Sequence, residues 1–139
     1  MTREEILDFT RQHPVFQLAT VEGGAPRVRS IMTAINDGRG LFFCTGRLKD
    51  MNRQLQNNPQ VELCFFDPES NVQVRIEGEV EEMAEQGLKE EIVEKFAFLR
   101  PMVDQAGWGA LSVYRLARGV ANCWTMETNF APKEFVEIF

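Results

Sequence analysis

The sequence predicts a mainly β protein with accessory helices, built as an antiparallel barrel. Three observations carry this. Apolar and polar residues alternate in short segments, most clearly over 72–80, where Val72, Val74, Ile76, Gly78 and Val80 interleave with Gln73, Arg75, Glu77 and Glu79. Turn chemistry separates such segments at short intervals, as at Glu22-Gly23-Gly24-Ala25, Asn36-Asp37-Gly38 and Asp67-Pro68-Glu69-Ser70. Helical periodicity is confined to three stretches, and no strand–helix–strand rhythm of a parallel sheet appears. The length of 139 residues predicts one domain over 1–139.

The elements follow in order. Thr2 and Glu5 have capping-box spacing, so a helix opens there; Ile6, Leu7 and Phe9 give it an apolar side and Pro14 marks its end. Val15–Val21 reads as a strand, followed by the paired glycines of a turn. Arg27–Ile35 reads as a second strand and Leu41–Thr45 as a short buried third one. A short helix spans Asp50–Asn57, with Met51 and Leu55 on one face and Asn58-Pro59 as its stop. Val61–Phe66 and Val72–Val80 are strands. A helix is expected over about 84–99, striped by Leu88, Ile92, Phe96 and Leu99. Leu111–Leu116 and Val120–Met126 read as two strands about a turn at Ala117-Arg118-Gly119, with an edge strand over Glu134–Phe139.

Composition narrows the function classes. A net charge of −6 argues against nucleic-acid binding. No apolar run approaches the roughly 18 residues of a membrane span, and the acidic start at Met1 to Glu5 is unlike a signal peptide. Cys44, Cys64 and Cys123 are odd in number and form no C-x-x-C pair, which predicts free thiols and a cytoplasmic protein. His13 is the only histidine and stands at a helix end, so a histidine-rich metal site is excluded. Glu85, Glu90, Glu91 and Glu94 read as a solvated helix face rather than a metal site.

The charge is unevenly spread. Residues 25–53 hold six cations (Arg27, Arg29, Arg39, Arg47, Lys49, Arg53) against two acids, so this stretch is +4 and the rest of the chain −10. A basic island in an acidic protein is either a local anion site or a chance cluster on the surface. Arg27-Val28-Arg29-Ser30 lies on the second strand, and Cys44-Thr45-Gly46-Arg47-Leu48-Lys49 leads from the third strand into a helix. Guanidinium forks, a Lys point charge, a Thr hydroxyl and helix-start N–H groups are what a phosphate monoester needs. A hairpin between the two strands is expected to bring them together.

Four stretches carry a resemblance to a known family: Pro26-Arg27-Val28-Arg29-Ser30-Ile31, Phe43 to Asp50, Gln54 to Val61, and Val72-Gln73-Val74-Arg75-Ile76-Glu77-Gly78. In this order and spacing the chain resembles the pyridoxamine 5'-phosphate oxidase-like, FMN-binding split-barrel family. It is most similar to the small nitroimidazole-resistance-type branch, through His13-Pro14-Val15-Phe16 and the aromatic strand and Pro132-Lys133 turn near the end. The resemblance implies a split β-barrel, a homodimer and FMN. It places Arg29 at the flavin phosphate or its ribityl neighbourhood, with Thr45, Lys49 and Arg47 completing the phosphate shell. Ser30, Ile31 and Met32 run along the isoalloxazine edge. Gln73 approaches the ring from the partner subunit, unless it faces solvent. Trp124 either lies near the ring or packs in the core, and Arg27 serves either the phosphate or the surface.

The family's vitamin-B6 oxidases carry an Arg-x-His element near the C-terminus for the substrate phosphate. No histidine follows position 13 here, which predicts that this oxidase activity is lacking. The resemblance then implies a flavoprotein oxidoreductase that moves electrons from a reduced nicotinamide to a small acceptor. The alternatives are a flavin-binding or sensing module without turnover, and a related split barrel that binds haem or a deazaflavin. No side chain stands out as a catalytic acid or base.

Overall fold

Thr2 opens the first helix as its spacing to Glu5 predicts. In a computed structural model that describes residues 1–139, the Thr2 hydroxyl accepts from the Glu5 N–H and the Glu5 carboxylate accepts from the Thr2 N–H. The helix α1 (Arg3–Gln12) ends at His13, which stacks against Phe9. Two hairpin strands follow, β1 (Val15–Glu22) and β2 (Ala25–Met32), joined by Gly23 and Gly24 at positive φ.

The expected strand over Arg27–Ile35 is two strands. After Met32 the chain leaves β1: Thr33 donates its N–H to the Pro14 carbonyl, and Ala34 donates to that of Phe42. The short β3 (Ile35–Asp37) then pairs with β4 (Gly40–Gly46). The helix α2 (Asp50–Asn57) has its predicted limits and buries Met51 and Leu55. Strands β5 (Gln60–Asp67) and β6 (Val72–Met83) form the next hairpin.

Two further expectations need correction. The helix expected over 84–99 is α3 (Gln86–Lys95), a 3-10 turn over Ala97–Leu99, and a separate α4 (Arg100–Ala106) with Pro101 in its first turn, where proline's missing N–H costs nothing. The turn at Ala117-Arg118-Gly119 is no turn. A single strand β7 (Leu111–Trp124) runs through it. Arg118 faces Glu79 and Leu116 faces Val80, so Ala117 is the extra residue of a β-bulge. Gly119 faces Gly78 there, and a Cβ on Gly78 would lie 1.9 Å from the Arg118 carbonyl oxygen. The glycines mark a close backbone approach. A last short strand, β8 (Phe135–Glu137), pairs with β7.

Every pairing is antiparallel, in the order β2-β1-β5-β6-β7-β4-β3, with β8 beside β7. The ends β2 and β3 do not pair, so the barrel stays split. Its interior holds Phe16, Leu18, Phe43, Leu63, Phe65, Ile76 and Tyr114, closed by α1 and α2. A second cluster, with Phe42, Leu111 and Val113 against Ile92, Val93 and Val103, lies under α3 and α4. Strand β4 is buried on both faces, which accounts for its unbroken apolar run Leu41-Phe42-Phe43.

Candidate functional site

The hairpin expected to join the two basic segments does not exist: β2 ends the sheet path and β4 is one strand from its other end. The helix α2 links them instead. Arg29 points to the inner side of β2 and donates to the Gln54 amide oxygen at 2.5 Å, to Thr20 Oγ1 at 2.8 Å and to the Leu18 carbonyl at 3.2 Å. None of these partners is charged. Burial lowers the pKa of the guanidinium from its ordinary value, yet an arginine stays charged throughout the physiological range.

The connection from β4 into α2 is pinned at several points. Arg47 donates its N–H to the Ala110 carbonyl, Lys49 closes a turn onto the Gly46 carbonyl, and the Asn52 amide donates to the Arg47 carbonyl at 3.0 Å. Asn52 also accepts from the Tyr114 hydroxyl, which ties α2 to β7. Lys49 is the N-cap of α2 and caps it with no side-chain bond. Its stem lies across Gly46, 3.6 Å from where a Cβ would stand. Burial pushes the Cys44 thiol up to about 11, and the charge of Lys49 opposes that rise. Burial raises Tyr114 in the same way, with Arg47 among the groups pulling it down. Arg47 and Lys49 thus stand over the same end of the barrel as Thr45, which is buried and faces Ser112 across the ladder. The Ser112 hydroxyl is buried without a hydrogen-bond partner.

Ion pairing divides the basic island in two. Arg27 pairs with Glu22 at 3.7 Å, Arg39 with Asp37 and Glu91, and Arg53 with Glu22 and Asp50. Arg29, Arg47 and Lys49 have no carboxylate partner. Arg27, although on the same side of β2 as Arg29, is a half-exposed surface pair.

The remaining candidates are divided between β2 and the paired ends of β6 and β7. Ser30 and Met32 point to the outer side of β2, opposite to Arg29 and Ile31, and Ser30 accepts from the Gln17 amide. Ile31 packs against the core. Gln73 and Trp124 face each other across β6 and β7 and line one cavity of about 590 Å³. They stand at the opposite end of β7 from Ser112. At roughly 3.3 Å per residue, the two ends are on the order of 40 Å apart along the strand. Along β7 one chain therefore separates Thr45, Arg47 and Lys49 from the Gln73–Trp124 pair. A second cavity, of about 620 Å³, contains none of the predicted residues.

Sequence reasoning missed Gln54 and Asn52, the α2 side chains that orient Arg29 and Tyr114. The signal was present, because both are polar residues within a helical stripe that includes Met51 and Leu55. It also missed Arg75 and Asn122, which line the cavity with Gln73.

Comparison with known proteins places this geometry. The family model described as pyridoxamine 5'-phosphate oxidase matches residues 2–108. The chain belongs to the pyridoxamine 5'-phosphate oxidase family. A pyridoxine/pyridoxamine 5'-phosphate oxidase from Anaeromyxobacter dehalogenans is 44% identical over 64 residues, covering 45% of this chain and 32% of that protein. One from Pseudomonas putida is 42% identical over 82 residues, covering 55% and 38%. The chain thus spans well under half the length of these curated relatives. Among solved structures, a NimC/NimA family protein from Clostridium acetobutylicum superposes with a TM-score of 0.78 at 26% identity, covering 97% of this chain and 91% of that one. A haem-binding protein from Mycobacterium smegmatis has a TM-score of 0.74 at 16% identity, covering 97% and 57%; it shares the fold. The split barrel and the small-branch likeness are therefore those of a pyridoxamine 5'-phosphate oxidase-like protein.

Proposed function

We propose that this family member is an FMN-binding flavoprotein that works as a cytoplasmic homodimer and passes electrons from a reduced nicotinamide to a small acceptor. One observation carries the reading: Arg29 meets α2 through Gln54, Arg47 and Lys49 lead into its uncapped start, and none of the three has a carboxylate partner. Cations left unpaired in a protein of net charge −6 are suited to a dianionic phosphate. The residues present fit the group. Arg29, Thr45, Arg47 and Lys49 would hold the phosphate; Gln73 and Trp124 of the second chain would flank the ring, with Ser30 and Met32 on the outer face of β2 along its edge and Ile31, whose side chain packs in the core, offering only backbone. FMN, when bound, supplies hydride and single-electron chemistry. The chain's own part is to bind, orient and exclude water.

The homodimer is supported by the outer sheet face. Val15, Val28, Met32 and Phe66 share that face with Gln73 and remain between 43% and 68% exposed, an apolar patch that a second copy would cover. The three free cysteines suit a reducing compartment, and no helix is long and apolar enough to cross a membrane.

The haem-binding neighbour gives a second reading. Against it, His13 is half-buried between Phe9 and Asp67 and lines neither cavity. An absorption spectrum of freshly purified protein, with mass identification of the released ligand, separates the two. A flavin spectrum and FMN mass are expected; a Soret band or a colourless protein that fails to take up added FMN overturns the proposal. Oxidation of reduced nicotinamide by the loaded protein then distinguishes an enzyme from a flavin carrier.

A further inference from the structure

The cavity between the ends of β6 and β7 and the 125–134 loop has a chemistry of its own. Its wall carries Arg75, Asn122, Gln73, Trp124 and Lys133, with Glu134 as its one acid. The space of about 590 Å³ falls within the range of small-ligand pockets. Three features show unused binding capacity. The Arg75 Nε is buried without a hydrogen bond, because its nearest acid, Glu62, stands 3.6 Å away. Lys133 has no ion-pair partner. Asn122 is only 7% exposed, faces Arg75 directly across the ladder, and spends its amide on no other residue. A buried donor such as the Arg75 Nε is costly unless something bonds to it.

The wall is also preorganised. The Trp124 indole N–H donates to Asn129 at 2.8 Å, which sets the ring's orientation. Thr125 and Thr128 bond each other through backbone and hydroxyls, and Ala131 closes onto Thr128. A held aromatic ring beside a guanidinium suits a flat ligand with a charged end.

We propose that this cavity binds small aromatic monocarboxylates. The carboxylate would meet Arg75, with Lys133 as a second cation and the Asn122 and Gln73 amides at its edge, while the ring lies against Trp124. Charge favours a monoanion: Arg75 and Lys133 stand against Glu134 in the wall and Glu62 beside Arg75, so a single carboxylate can take the place of Glu62 at Arg75, whereas a dianionic phosphate would be opposed by both acids. The proposal rests on the flavin reading only in that such a molecule, as acceptor or regulator, would lie beside Gln73 and Trp124. The pocket itself is testable without flavin.

The test uses benzoate and benzamide, which differ little except in charge. With Trp108→Phe as the background, Trp124 is the only indole and its fluorescence reports binding in the flavin-free protein. Benzoate is expected to saturate the signal, with benzamide about tenfold weaker or more, the scale of one charge-assisted contact. Arg75→Gln should reduce benzoate affinity to the benzamide level, Arg75→Lys should retain part of the preference, and Lys133→Ala should weaken benzoate severalfold. Circular dichroism checks each fold; should Arg75→Gln not fold, the Lys133 variant and the benzoate–benzamide pair still decide. Equal affinity for the two probes, no saturation by benzoate, an unchanged preference in Arg75→Gln, or tighter binding of inorganic phosphate overturns the proposal. FMN titration is run separately on the same proteins. A parent protein that binds no FMN yet keeps the benzoate preference sinks the flavin reading alone, and one that binds FMN without that preference sinks this one alone.

Discussion

Lys49 is where a single side chain tests the proposed phosphate site. It is exposed, has no acidic partner and caps α2 with no bond of its own, so its removal costs the fold no more than about 0.5 kcal/mol. A charge-assisted contact to phosphate is worth about 1.5–3 kcal/mol, or roughly 10- to 150-fold in affinity. Lys49→Ala should therefore weaken FMN by that factor and riboflavin hardly at all, since riboflavin has no phosphate. Calorimetric titration of both ligands checks it; equal losses, or none, remove Lys49 from the site. The same end of the barrel gives a pH prediction. Burial raises the Cys44 thiol from 9.0 to about 11. Between those values the folded chain keeps a proton that the unfolded chain has lost. Its stabilising contribution is complete below pH 9 and is lost as pH rises through 11, by at most about 2–3 kcal/mol. Urea titrations from pH 8 to 11 should show this alkaline loss, and Cys44→Ala should flatten it. An unchanged slope in the variant means that the thiol is not the group responsible.

At the scale of elements, what was legible follows from how local each signal is. The α1 cap, the Gly23-Gly24 hairpin and the limits of α2 depend on residues within a turn of one another, and they stand where the sequence places them. The failures are all non-local. Thr33 and Ala34 break the second strand because they bond to Pro14 and Phe42, partners that no window of sequence contains. The cations of the basic island were legible as a charged cluster, but not their division into paired and unpaired, because Glu22 and Glu91 are supplied from outside the island. Arg118-Gly119 resembled a turn because glycine signals both turns and close approach. Only the pairing with Gly78 decides between them. Two substitutions separate these roles of glycine. Gly78→Ala places a Cβ against the Arg118 backbone at 1.9 Å and should destabilise the protein by about 3 kcal/mol or prevent folding. Gly87→Ala, near the start of α3 with open space around it, should stabilise by about 0.5–1 kcal/mol. Thermal melts of the two variants should move in opposite directions, and a Gly78→Ala protein as stable as the parent contradicts the close-approach reading of the bulge.

For the whole molecule, the length of β7 matters most. The cations of the α2 start and the Gln73–Trp124 pair sit at its two ends, so a flavin touching both needs two chains. Light scattering at micromolar concentration should give a dimer mass, and a monomer would count against the assembly. Composition of the site can be tested more directly by complementation. Lys49→Ala damages the phosphate half, and Gln73→Ala damages the ring half. In each homodimer both sites carry the same defect. Mixed at equal concentration and allowed to exchange, half of the dimers become hybrids. Every hybrid then has one site with both defects and one with neither, so about a quarter of all sites are restored. FMN titration of the mixture should show that fraction binding with parental affinity, while each variant alone shows none. If one chain built the whole site, every site would keep a defect and mixing would restore nothing. Tagged variants recovered as hybrids by sequential purification confirm that exchange has occurred, so an absence of restored sites in the hybrids refutes the shared site.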